Sequence, residues 1–370
     1  MGLGAKTYDT TIDYAGELTV WGGGKVYNNT INQWGAIILS SGAMADNTVI
    51  NSLGGLHVYS GATASNTTVK QSGFFGVGLG ATANNTTIDY AGELTVWGGG
   101  VVNKNTINQW GAVILSSGAA ANSTTINSQG GLHVYCGAVA YNTTVKQGGF
   151  FGVGYGATTY NTLIDHAGEL TVWGGGLVND NEINQWGAII LSSGAAANRT
   201  VINPDGGLHI YNGATAYATE VTSGAKLGIG SGGYLYGSEL DNTGTMTFYD
   251  GAKMGGWHDL EGTVLTSGGV DASGAYINFE LDDRTSDQGV ILDNIENLVS
   301  VEKYSIEVDS QQEKGSYQLA GNSWFFDDAI TLYVGEGNDC GLLSENGSIE
   351  YDGKTYSLEN KKGVLALKIS

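Results

Sequence analysis

The chain has 370 residues, with 61 glycines, one proline, two cysteines and a formal net charge of −21 at pH 7. That acidity argues against a nucleic-acid ligand, which needs a basic face, and against electrostatic docking to anionic membranes. No apolar stretch is long enough to span a membrane, no stretch reads as a signal peptide, and neither a CxxC nor a Cys/His metal pattern occurs.

The chain opens on Gly2-Leu3-Gly4-Ala5, which aligns with Gly78-Leu79-Gly80-Ala81 and Gly154-Tyr155-Gly156-Ala157. It therefore starts in the middle of a repeat. The expectation is a fragment of a longer protein, with Met1 added for expression and a signal peptide and anchor outside it. From Ile12 onward a branched or long apolar residue returns every 19 residues, thirteen times, from Ile12, Ile31, Ile50 and Val69 to Leu240. A fixed period of this length marks a solenoid whose coils stack. A second period of 76 residues, four coils, lies on top: IDYAGELTVWGGG at 12–24 and 88–100, and IDHAGELTVWGGG at 164–176.

Coils are numbered here from the Ile/Val residue. Positions 7 and 9 are apolar throughout (Leu18 and Val20, Ile37 and Leu39, Leu56 and Val58), while positions 6, 8 and 10 vary. That alternation predicts a strand with one buried face. Position 12 is glycine in every coil, and position 5 in every coil except at Ala225. Fixed corner glycines imply positive φ or close approach of successive turns. A third corner near position 17 gives three short strands per coil. Thr or Asn at position 18 (Thr48, Thr67, Thr86, Asn105) is expected to face inward and form ladders. Trp34, Trp110 and Trp186 at position 4 are expected to shield the first glycine corner.

Outward positions 6, 8 and 10 are where chemistry can lie. They carry Trp21, His57 and Tyr59, then Trp97, His133 and Tyr135, then Trp173, His209 and Tyr211. Trp21 and Tyr59 are expected two coils apart with Ser40 between. Aromatics interleaved with hydroxyls suit a sugar face, because pyranose C–H faces stack on rings and polar neighbours meet hydroxyls. The same strip also reads as a cross-strand ladder that stabilises the sheet, or as a contact face for a neighbouring rod. Residues 12–258 hold no insertion and no nucleophile–base–orienter set, so an enzyme is not expected, nor any cofactor. Ice binding needs a flat outward Thr array, and the Thr column faces inward.

Residues 1–257 carry 8 basic and 15 acidic residues, and residues 258–370 carry 7 and 21. The repeat decays there, so the domain reading is a solenoid over 1–258 and an acidic, non-repeating β-rich cap or small β domain over 259–370. Strands are expected at 276–281, 305–308, 330–334 and 364–369, and hairpin turns at Lys314-Gly315, Asn346-Gly347 and Asp352-Gly353. Asp282/Asp283 and Asp327/Asp328 lack Ca²⁺-loop spacing, and the acidity is read as solubility. Cys136 and Cys340 lie in different segments, with Cys136 at the corner held by Ser60 and Asn212 in sister coils, and no disulfide is expected.

The segment 67–73 (TTVKQSG) followed by 80–84 (GATAN) resembles the 19-residue repeats of AIDA-type autotransporter adhesins, and the likeness covers about 10–258. The resemblance implies an all-β fold, a right-handed parallel β-helix of about 13 coils displayed on a bacterial surface or secreted. It implies use in adhesion to host or neighbouring-cell ligands, with glycans or mucin among them, and in self-association. No outer-membrane barrel lies in these residues. The alternative is a structural stalk.

Overall fold

A computed structural model covers residues 1–370 and describes all of them except Ser60, Ser117, Ser193, Asp283 and Glu336. The comparison of Ser60 with Cys136 and the Asp282/Asp283 pair therefore fall partly outside the described residues. The chain forms two compact units, residues 1–190 and 191–370.

In the first unit, from Glu17 onward, each coil makes one strand of four residues and one of seven. Ala36–Leu39, Gly55–Val58 and Phe74–Val77 are of the first kind, and Met44–Ile50, Thr63–Val69 and Thr82–Ile88 of the second. Each pairs in parallel with its equivalent one coil on. Leu18 faces Ile37, Ile37 faces Leu56 and Leu56 faces Phe75. The result is a parallel β-solenoid whose core is a set of identical columns. Ile31, Ile50, Val69, Ile88 and Ile107 are fully buried, as are Ile37, Leu56, Phe75 and Leu94. Burial of one such side chain stabilises by about 1.5–3 kcal/mol, and every coil repeats the gain.

Two strands form where three were expected. The bend near position 17 exists, but it sits inside the seven-residue strand as a single left-handed residue. Asn28, Asn47, Asn66 and Asn85 have φ of 53–55°. Asparagine enters this region more easily than other residues with a side chain. Its amide also bonds along the stack: Asn47 Nδ2 donates to Asn28 Oδ1 at 2.9 Å and Asn85 Nδ2 to Asn66 Oδ1 at 2.7 Å.

The two glycine columns have different causes. Position 12 needs positive φ, as at Gly42 (74°) and Gly80 (72°), with open space where a Cβ would go. Position 5 needs close approach instead. A Cβ on Gly35 would lie 2.5 Å from the Ile12 carbonyl oxygen.

The second unit continues the pattern through Ala196–Ile202, Gly207–Ile210, Thr215–Val221, Lys226–Ile229, Tyr234–Leu240 and Thr245–Phe248. The next strand, Lys253–Leu260, has eight residues and a register shift opposite Tyr236 and Ser238. The boundary expected between 258 and 259 falls inside this strand. Parallel pairing then continues through Ala275–Glu280, Lys303–Val308 and Ile330–Val334. The 19-residue spacing is lost because loops of unequal length separate these strands, whereas the ladder is kept.

Gly315–Gly321, Val364–Ile369, Lys354–Lys361 and Ser348–Tyr351 form an antiparallel sheet. Asp352-Gly353 turns its hairpin with φ of 47° and 72°, the signature of a primed turn. Lys314-Gly315 makes no hairpin, because Gly315 opens a strand paired with the distant Val364–Ile369. Lys362-Gly363, with φ of 54° and 74°, is the second tight hairpin.

Candidate ligand-facing strip

The four-residue strands aim positions 6 and 8 outward, with position 10 at the corner that follows. Parallel register stacks these positions in columns. In the first unit Thr19, Ile38, His57, Gly76 and Thr95 follow one another, as do Glu17, Ala36, Gly55, Phe74 and Glu93. Each of the nine strip residues read from the sequence lies on the outer side of its own coil, Trp21 to Trp173 in the first unit and His209 and Tyr211 in the second.

The rings gather differently from expectation. Tyr59 meets Trp97, with centroids 6.1 Å apart and planes at 63°. It does so across the glycine coil Gly76–Gly78, whereas Trp21 lies on the Ser40 side. His57 stacks on Tyr59 at 6.2 Å and tilts against Phe74 at 5.4 Å. The next cluster repeats this: His133 with Tyr135 at 6.1 Å, His133 with Phe150 at 5.5 Å, and Tyr135 with Trp173 at 6.1 Å. Each cluster therefore crosses the boundary of the 76-residue sequence unit.

Glycine seats the indoles. A Cβ on Gly76 or Gly78 would come within 2.9 or 2.6 Å of Trp97. On Gly152 or Gly154 it would come within 2.9 or 2.8 Å of Trp173. Trp97 and Trp173 are half-buried; Trp21 sits over Gly2 in the same way, with a Cβ there 2.5 Å from its ring, and is 48% exposed.

Polar groups are fixed around the rings. The hydroxyl of Tyr59 lies 3.4 Å from His57 Nδ1, and that of Tyr135 lies 3.2 Å from His133 Nδ1. Burial holds His57, His133 and His209 below the ordinary histidine value, so the imidazoles are neutral at pH 7. Burial, then the neighbouring Tyr155, raises the Tyr135 phenol. Thr19 donates to Glu17 Oε1 at 2.8 Å, Thr95 to Glu93 at 2.8 Å and Thr171 to Glu169 at 2.9 Å. The strip thus offers ring faces, neutral imidazoles, hydroxyls and carboxylates in a fixed repeating order.

Trp34, Trp110 and Trp186 do not shield their corner. They are 62%, 61% and 69% exposed, on backbone with φ of 60–63°. Sequence reading also missed a second aromatic set, on the other strands of the coils. Tyr8 stacks on Tyr27 at 5.0 Å, Tyr141 on Tyr160 at 5.4 Å and Trp257 on Tyr276 at 6.0 Å. Their 19-residue spacing was the available signal.

Among the described residues no group of three or more His, Cys, Asp or Glu side chains could hold a metal ion. Cys136 and Cys340 are free thiols. Among the described residues no helix is long and apolar enough to cross a membrane.

No family model matches the chain, and no curated protein matches it. Among solved structures it is similar to the crystal structure of a TibC-catalysed hyper-glycosylated TibA55-350 fragment. The TM-score is 0.68 and the identity 28%, over 74% of this chain and 99% of that one. The parallel β-solenoid is the fold that the two share.

Proposed function

We propose that this chain is an adhesin-type segment of a bacterial surface or secreted protein, which presents a repetitive β-helical face to glycans on a host or neighbouring cell. The observation that carries this reading is the recurrence of the ring–imidazole–hydroxyl cluster every 76 residues, on a fold similar to the TibA fragment. That likeness agrees with the resemblance of the repeats to AIDA-type adhesin passengers. Equally spaced weak sites on a rigid scaffold give avidity towards a repetitive ligand. Attachment, with no covalent chemistry, is the role that a strip lacking a paired nucleophile and base supports. A glycan array probed with the intact chain tests it. Retention of a defined glycan class, lost when Trp97 and Tyr135 are replaced by alanine, is the expected result.

Self-association is a second reading, supported by the exposed Trp34, Trp110 and Trp186. Sedimentation of the chain with all three tryptophans changed to serine tests it separately. A concentration-dependent dimer that becomes monomeric favours a contact face between copies.

A further inference from the structure

The third cluster departs from the first two in a concerted way. The glycine pair is retained as Gly228 and Gly230, but Tyr249 stands where the repeat has Trp97 and Trp173. No indole covers these glycines. Around a Cβ on Gly228, the His209 ring alone lies within 4 Å, at 3.3 Å. The nearest atoms to one on Gly230 belong to Tyr211 and Ile210, at 3.3 and 3.4 Å. The vacated seat is a cavity of about 360 Å³, with Tyr211 and Tyr249 in its wall. These two rings are 49% and 53% exposed.

Charge changes at the same place. Lys226 replaces Phe74 and Phe150, and Thr245 replaces Glu93 and Glu169. The site gains a cation and loses an anion. No acidic side chain lines the cavity, in a chain of net charge −21. Thr245 and Thr247 add hydroxyls, and the neutral His209 adds an imidazole.

We propose that this open seat binds a carboxylate-bearing pyranose, of the uronate or sialate type. The sugar ring lies over Gly228 and Gly230 where an indole lies in the other clusters. Its carboxylate meets Lys226, and its hydroxyls meet Thr245, Thr247 and His209. The open floor at Gly228 and Gly230 leaves room for a six-membered sugar ring beside the Tyr211 and Tyr249 rings, and the charge reversal selects an anion. This inference rests on the glycan-binding reading above and names one site and one sugar class within it.

Saturation-transfer NMR on the intact chain tests it, with glucuronate, N-acetylneuraminate, glucose, galactose and N-acetyltryptophanamide as probes. One or both acidic sugars should receive transfer, and which of them does identifies the source. Lys226→Met, at an exposed position, should weaken binding by about tenfold, the effect of losing one charge-assisted hydrogen bond. The triple variant Lys226→Phe, Thr245→Glu, Tyr249→Trp rebuilds the closed seat of the other clusters and should abolish binding. Equal transfer to neutral sugars, or transfer to the tryptophan amide in place of sugars, overturns the assignment. So does undiminished binding in the triple variant. If the acidic sugars still receive transfer from that variant while the wild type retains glycans on the array, the seat is refuted and the wider reading stands. An array signal absent from the wild type refutes both.

Discussion

The indole of Trp97 occupies the space above Gly78 of the preceding coil, where a Cβ would stand 2.6 Å from its Cε2. Glycine and tryptophan are therefore one packing unit. Gly78→Ala must displace the indole or shift the backbone, at a cost of about 1–3 kcal/mol. The equivalent Gly230→Ala meets Tyr211 at 3.3 Å and should cost less. Urea unfolding measures both. Tryptophan emission should shift to the red in the first variant only.

The inward threonine column contains buried hydroxyls without partners. Thr67, Thr86 and Thr143 are each 1% exposed, and their Oγ1 atoms make no hydrogen bond. A buried unsatisfied hydroxyl costs about 1–3 kcal/mol. Thr86→Val keeps the shape and removes the penalty. The variant should melt above the wild type in a calorimetric scan, and Thr67→Val and Thr143→Val should do the same.

His258 replaces a member of that column. It is fully buried, with Nδ1 2.8 Å from Ser238 Oγ. Burial lowers its value from the ordinary 6.5 to about 4. The unfolded state therefore binds the proton first. The stability that His258 contributes is fully present above pH 6.5 and is lost as pH falls from 6.5 towards 4, by about 3 kcal/mol. His258→Asn should flatten the stability profile across that window, as read by denaturant midpoints.

Glu280 acts in the opposite direction. Burial, then Asp259, Asp282, Glu261 and Glu307, pushes its carboxyl up to about 7. The folded state then holds a proton that the unfolded state releases near 4.5. Stability declines as pH rises between these values. Glu280→Gln should melt higher than the wild type at pH 8, and the difference should vanish below pH 4.5.

The fold was legible because each core position is one column. Ile31 and Ile50 bury the same side chain in the same place, so spacing alone reveals strand, face and register. Legibility failed where one residue serves a local geometry. Asn28 and Asn47 bend a strand without ending it, which merges two expected strands into one. Past Leu260 unequal loops erase the period while the ladder persists. At the strip, alternation identified the outward side chains, but contacts between coils depend on volume. That Tyr59 meets Trp97 and not Trp21 follows from the missing side chains at Gly76 and Gly78, which a list of ligand-type residues omits. The exposure of Trp34 follows from its positive φ, which residue identity alone does not reveal.

The recurring outer strip is proposed to bind glycans. The most direct measurement of that binding is a glycan array probed with the wild-type chain and with a variant carrying Trp97→Ala and Tyr135→Ala. Circular dichroism on both proteins confirms the solenoid. Selective binding by the wild type, lost in the folded variant, is predicted. Equal signal from both proteins, or no glycan retained by the wild type, would contradict the account.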